Sequence, residues 1–228
     1  MIAENLAEVR TGIRTACLAS GRTPDSVRLV AVSKAFGIER IVEAYRAGQP
    51  DFGENYVQEL REKRSTHPDS HLRWHFIGHL QSNKVKYLVD YVHLIHTVDD
   101  LDLAREIQKR AGRIQRTVDV LIEVHTTSEK TKSGVAPEKA VELATLVSGL
   151  KNVRVRGLMT MGPLAEDPEE ARPSYTQLRN LLEEGKRVGL AWSELSMGMS
   201  HDYAIAIQEG ATIVRIGTAI FGERNSSL

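Results

Sequence analysis

A lysine at the end of an apolar run is the first sign of chemistry in this chain. Arg28-Leu29-Val30-Ala31-Val32-Ser33 reads as a parallel strand covered on both faces, and Lys34 stands where it stops. In α/β folds, reactive groups gather at the carboxyl ends of strands. An apolar floor beneath an amine disfavours the ammonium form, and a neutral amine attacks aldehydes. Strand-end lysines also simply reach solvent, so the groups that share the site with Lys34 decide between the two roles.

Those groups sit at the other end of the chain. Leu195-Ser196-Met197-Gly198-Met199-Ser200 and Val214-Arg215-Ile216-Gly217-Thr218-Ala219 each pair an apolar strand with glycine and a hydroxyl. Glycine lets backbone N–H groups approach a ligand closely, and hydroxyls add donors, so Gly198, Ser200, Gly217 and Thr218 suit a phosphate. Arg215 shares a strand face with Gly217, which points it into the same site. An inward arginine keeps its charge and needs an acceptor; Asp51, Glu54 or Glu123 could supply one. Asn55, His79 and Met159 close three further strands and add polar or soft groups. His75, His79, His93 and His96 lack the helical spacing and third ligand of a metal centre, so no metal is expected. The polar loop Ser128 to Gly134 reads as a solvated turn in which Lys132 could lean toward an anion.

The elements that must position these residues alternate. Ile2, Leu6, Val9, Ile13 and Cys17 form the apolar stripe of an opening helix. Strands are expected at 28–34, 51–55, 73–79, 94–98, 118–125, 153–161, 192–197 and 212–216, with helices between them. The helices are placed at 38–47, 56–65, through Val85 and Leu88, at 101–111, from Pro137, at 168–188 and at 203–209. Eight such units predict one (β/α)₈ barrel with an extra N-terminal helix, spanning 1–228 as a single domain. An open doubly wound sheet fits less well, because no G-x-G-x-x-G follows the first strand.

The 228 residues carry 30 basic and 30 acidic side chains, a balance that argues against nucleic-acid binding. One cysteine, Cys17, excludes an internal disulfide and fits a reducing compartment, where it serves as a small buried hydrophobe. The first residues lack a basic start and a long apolar region, and no apolar run approaches membrane-spanning length. The expectation is a cytoplasmic protein.

An amine, a phosphate cradle and an inward arginine match the aldehyde, phosphate and ring nitrogen of pyridoxal 5′-phosphate (PLP). The motifs carry a further likeness. Ala-Val-Ser-Lys at 31–34, Phe-Gly-Glu-Asn-Tyr-Val-Gln-Glu at 52–59 and Trp-His-Phe-Ile-Gly-His-Leu-Gln-Ser-Asn-Lys at 74–84 are its first part. Gly-Leu-Met at 157–159, Leu-Ser-Met-Gly-Met-Ser at 195–200 and Val-Arg-Ile-Gly-Thr-Ala-Ile-Phe-Gly at 214–222 complete it. The chain resembles the pyridoxal phosphate homeostasis proteins, relatives of the alanine racemase N-terminal barrel. That resemblance implies a Schiff base at Lys34, phosphate contacts from Ser200, Gly217 and Thr218, and Arg215 facing the pyridine nitrogen. It also implies Asn55, His79 and Met159 as cofactor lining. Ala35-Phe36-Gly37 departs from the family, whose members often carry Thr and then Pro after the lysine.

The implied role is a PLP carrier in vitamin B6 and amino-acid balance, without established turnover. Its partners would be PLP and the apo forms of PLP-dependent enzymes, with neither nucleic acid nor membrane. Arginine opposite the ring nitrogen weakens the electron sink that PLP enzymes use. Only six residues follow Gly222, so the second domain that supplies the opposing base in alanine racemase is expected to be missing. An uncapped mouth then suits a monomer. The alternatives are a fold-type III enzyme with weak racemase-like activity and a class I aldolase; the latter usually carries its lysine on a later strand.

Overall fold

The computed structural model describes residues 1–67, 71–127 and 133–223. Among the described residues eight parallel strands pair in sequence order and close, β8 against β1. They are β1 (Arg28–Val32), β2 (Asp51–Glu54), β3 (Arg73–Phe76), β4 (Leu94–Val98), β5 (Val118–Glu123), β6 (Val153–Met159), β7 (Glu194–Ser196) and β8 (Ile213–Ile216). The helices are α1 (Ile2–Ala19), α2 (Ile38–Arg46), α3 (Val57–Thr66), α4 (Leu101–Arg113), α5 (Pro137–Ser148), α6 (Arg172–Arg187), α7 (Tyr203–Gln208) and α8 (Thr218–Phe221). This is the (β/α)₈ barrel that the alternation predicts, with α1 preceding it. None of these helices is long and apolar enough to cross a membrane.

Two apolar layers hold the barrel together. The larger lies between strands and helices, because the outward face of each strand meets the apolar stripe of the helix beside it. The α1 stripe, Ile2, Leu6, Val9, Ile13 and Cys17, is buried in it. The last helix has only four residues and cannot cover the β8–β1 seam alone, so α1 packs there against α2, α7 and α8. Asn5 Nδ2 ties α1 to α8 by donating to the Ile220 carbonyl at 2.9 Å. The smaller layer fills the lumen with Val30, Leu94, Leu121, Met159 and Ile213.

Two elements differ from their expected form. Ser82–Tyr87 is a 3₁₀ helix rather than an α-helix. Its buried anchors Val85 and Leu88 are three residues apart, the 3₁₀ repeat, and Ser82 and Asn83 compete for backbone groups at its start. Pro168–Ala171 is likewise a 3₁₀ turn leading into α6. At Gly157 the β5–β6 register shifts, and a Cβ there would lie 1.9 Å from the Glu194 carbonyl oxygen. Only glycine lets β6 approach β7 so closely.

Candidate functional site

The carboxyl ends of the strands open onto a cavity of about 290 Å³. Six of the eight residues singled out from the sequence line it: Lys34, Asn55, Ser200, Arg215, Gly217 and Thr218. The other two do not. Met159 lies one layer deeper, fully buried in the lumen, and Met161 on the same strand parity takes its place in the wall. His79 is exposed past the end of β3 and does not line the cavity. His79 is displaced because β3 ends sooner than the apolar pattern suggests, at Phe76; Met159 is too deep because the cavity wall is reached only past the end of β6, two residues on at Met161. Lys132 lies outside the described residues.

The cavity also uses residues that the sequence reading passed over, notably Phe36, Ile77, Met161 and Met199. Phe36 stands in the turn right after Lys34 and stacks on Phe221, ring centroids 5.1 Å apart. An aromatic two residues beyond a candidate lysine was the available signal for it.

The turn that carries Lys34 is fastened from below. Ala35 adopts φ +66°, a left-handed conformation that costs a non-glycine residue about 1–2 kcal/mol. Its N–H donates to Glu59 Oε1 at 2.6 Å. Lys63, almost fully buried, donates to the Ser33 carbonyl at 2.8 Å, to Glu54 Oε1 at 2.7 Å and to Glu59 Oε1 at 2.6 Å. Ser33 Oγ donates to Glu54 Oε1 at 2.6 Å. Burial pushes the Glu54 carboxyl up to about 7, against the pull of Lys63. Lys34 itself is half-buried at the rim.

Arg215 is buried at 3% exposure. Among the described residues no carboxylate pairs with it, in contrast to the expected partner Asp51, Glu54 or Glu123. Asp51 is taken by Arg73 at 2.7 and 2.6 Å, Glu54 by Lys63, and Glu123 by Ser133. Arg215 donates instead to neutral acceptors: Nη1 to Ser196 Oγ at 2.6 Å, and Nη2 to the Thr160 carbonyl at 2.8 Å and Met161 Sδ at 3.3 Å. Among the described residues no carboxylate is hydrogen-bonded to it; Glu123 and Asp202 act on its charge only through space. Burial lowers its pKa, but a guanidinium holds its proton in a protein interior.

Thr218 Oγ1 donates to Ser200 Oγ at 3.0 Å, bringing two hydroxyls together. Gly198, with φ +94° and room for no side chain against Ala206, shapes the loop that delivers Ser200. The first N–H groups of α8 have no partner within that helix. Opposite them, Asn55 Oδ1 is buried with no hydrogen-bond partner. The arrangement offers an amine, a donor-rich anion cradle and a buried cation in one cleft, with a buried, unpartnered amide oxygen on one of its lining residues.

Beneath the cavity, Asp51, His75 and His93 bring ligand-type atoms within 4.8 Å of one another. A cation there would have to displace Arg73 from Asp51 and break the 3.0 Å contact between His75 Nε2 and Asp51 Oδ1.

The family model described as alanine racemase, N-terminal domain, matches residues 5–225. A pyridoxal phosphate homeostasis protein of Aquifex aeolicus is 50% identical over 222 residues, 97% of each chain. The chain belongs to the pyridoxal phosphate homeostasis protein family. The homeostasis protein of Escherichia coli is 39% identical over 234 residues, covering 99% of this chain and 98% of its own. PipY of Synechococcus elongatus, solved with PLP bound, has a TM-score of 0.87 at 37% identity, over 97% of this chain and 100% of that one. Alanine racemase of Clostridium difficile matches at a TM-score of 0.77 and 16% identity, over 99% of this chain and 57% of its own. That last likeness establishes the shared barrel alone.

Proposed function

We propose that this chain binds PLP at the barrel mouth and acts as a carrier of the cofactor in vitamin B6 and amino-acid balance. The observation that carries this reading is the convergence of Lys34, the Ser200–Gly217–Thr218 cradle and Arg215, which no described carboxylate hydrogen-bonds, on one cavity. The residues present fit the cofactor. Arg215 is a donor without a carboxylate, Asn55 Oδ1 lacks a partner, and the two hydroxyls stand beside backbone donors suited to a phosphate. Lys34 Nζ would join the PLP aldehyde as a Schiff base, with loss of one water. The bound group supplies a reactive carbonyl and, where its ring nitrogen is protonated, an electron sink. Arg215 can only donate, so it favours an unprotonated ring nitrogen and a cofactor held rather than put to work. The names of the relatives and the PLP-bound PipY structure support the same reading. Apo PLP-dependent enzymes are the proposed recipients.

Absorption spectroscopy with trapping tests it. Wild-type protein titrated with PLP should develop a visible band, and borohydride should fix the label on Lys34. Lys34→Ala should show no such band and bind at least ~10-fold more weakly, as expected when a covalent anchor is lost. An unchanged band in Lys34→Ala would sink the lysine assignment.

A further inference from the structure

The polar groups inside the barrel do not form scattered pairs; they form one line. At the lower end, Arg73 Nε and Nη2 donate to the two carboxylate oxygens of Asp51 at 2.7 and 2.6 Å. Asp51 Oδ1 lies 3.0 Å from His75 Nε2, and His75 Nδ1 lies 2.9 Å from His96 Nε2. His96 Nδ1 then reaches across the lumen to Ser196 Oγ on β7 at 2.9 Å. Ser196 Oγ is the acceptor of Arg215 Nη1 at 2.6 Å. Both histidines and Ser196 are fully buried. The line thus runs from the amino-terminal end of β2, through β3 and β4, to the cavity wall on β8.

Its ends dictate the proton on every atom between them. Asp51, gripped by a guanidinium through both oxygens, is ionised and can only accept. His75 must then carry its proton on Nε2. Two adjacent imidazoles with no access to water stay neutral, so His75 Nδ1 is bare and accepts from His96 Nε2–H. His96 Nδ1 is bare in turn and accepts the Ser196 hydroxyl proton. Ser196 Oγ is left with its lone pairs facing Arg215, which has nothing to offer but donors. The reverse polarity would require two acceptors to meet at Asp51. One direction of donation survives: Arg215 to Ser196 to His96 to His75 to Asp51.

We propose that Ser196, His96, His75 and Asp51 are positioning residues for Arg215, holding its guanidinium by a one-way chain of hydrogen bonds that puts no carboxylate in contact with it. A carboxylate in the place of Ser196 would hold the guanidinium equally well but cancel its charge. The serine holds it without doing so, and the histidines exist to keep the serine oxygen turned the right way. The ligand served is an anionic one with an unprotonated ring acceptor, so this proposal rests on the PLP reading above.

Two measurements test it. Long-range 1H–15N NMR of ligand-free protein with labelled histidine reads the tautomers directly. Both buried rings should show a protonated Nε2 and a bare Nδ1 at neutral pH. An Nδ1–H tautomer or an imidazolium at either position overturns the chain, and this readout needs neither a variant nor PLP. The second compares His96→Leu with His96→Gln, whose amide can accept from Ser196 and donate to His75. His96→Leu should shift the visible band of bound PLP and weaken PLP binding by about 10-fold, the size of one lost charge-assisted contact. His96→Gln should restore both to within about 3-fold. A purely structural histidine would lower thermal stability while leaving band position and affinity unmoved, and that result in folded His96→Leu also overturns the proposal. If His96→Leu does not fold, the tautomers decide. Wild-type protein that develops no band with PLP sinks the cofactor reading itself, and with it the service the chain performs, even where the tautomers stand.

Discussion

Asn55 carries an amide oxygen buried beside Lys34 with no hydrogen-bond partner. Buried polar atoms are nearly always satisfied, because an orphaned one loses water and gains nothing. In the ligand-free chain that oxygen contributes no bond, so removing it costs the fold little. Asn55→Ala should change stability by less than about 1 kcal/mol while weakening PLP binding by about 5- to 10-fold, the worth of one hydrogen bond made only with ligand present. Thermal denaturation without ligand and a PLP titration read the two effects separately. Equal losses in both would mean that the amide is a structural group. Arg215 poses the converse case at the same scale. Its bonds are made without ligand, to Ser196 and the Thr160 carbonyl, so its placement is set before anything binds.

At the scale of elements, most of the barrel could be read from the chain, and the reasons for the misses are physical. Strands such as 28–32 and 118–123 announce themselves as apolar runs, because both faces of a barrel strand are covered. What a run does not encode is where pairing ends. The pattern puts His79 and Met159 at the rim, yet β3 stops at Phe76 and the cavity wall is reached past β6, at Met161. Contacts between distant elements are harder still to read. Directly bonded members of the line from Asp51 to Ser196 lie as far as 100 positions apart, as His96 and Ser196 do, and no spacing in the sequence hints at it. Glu59, in the first turn of α3, is another such case. Its Oε1 receives the Ala35 N–H and Lys63 Nζ, both at 2.6 Å, and so anchors the turn of Lys34 to the helix behind it. Glu59→Ala should destabilise the protein by about 1–3 kcal/mol and loosen PLP binding, because an N–H and an ammonium lose their acceptor. Glu59→Gln, which keeps that oxygen, should lose less than half as much in urea unfolding. A glutamine as damaging as alanine would show that the charge, not the anchor, matters.

For the molecule as a whole, the lumen carries buried ionisable groups beside its aliphatic layer. That choice ties stability to pH, in two opposing senses. Burial pushes the Asp51 carboxyl up, but the hydrogen bonds from Arg73 and His75 and the charge of Arg73 outweigh it and hold it well below the usual range. Its stabilisation is present above the unfolded value near 3.9 and is lost as pH falls. Burial lowers His75 and His96, so below their unfolded value of about 6.5 the unfolded chain takes up more protons and stability again falls with pH. Glu54 acts the other way. Burial pushes it to about 7, so between its unfolded value near 4.3 and 7 the folded chain binds the extra proton, and stability falls as pH rises. Asp51 is largely ionised in both states across pH 4.5–7.5, but burial also lowers His93, to about 4. The three histidines outweigh the raised Glu54, Glu123 and Asp99, and wild-type protein should be less stable at pH 4.5 than at pH 7.5 by about 1–3 kcal/mol. Glu54→Gln removes the opposing slope while keeping an oxygen for Ser33 and Lys63. Urea unfolding at pH 4.5, 5.5, 6.5 and 7.5 should therefore show a steeper dependence in Glu54→Gln than in wild type. A shallower one would mean that Glu54 is ionised throughout and that Lys63, rather than burial, governs it.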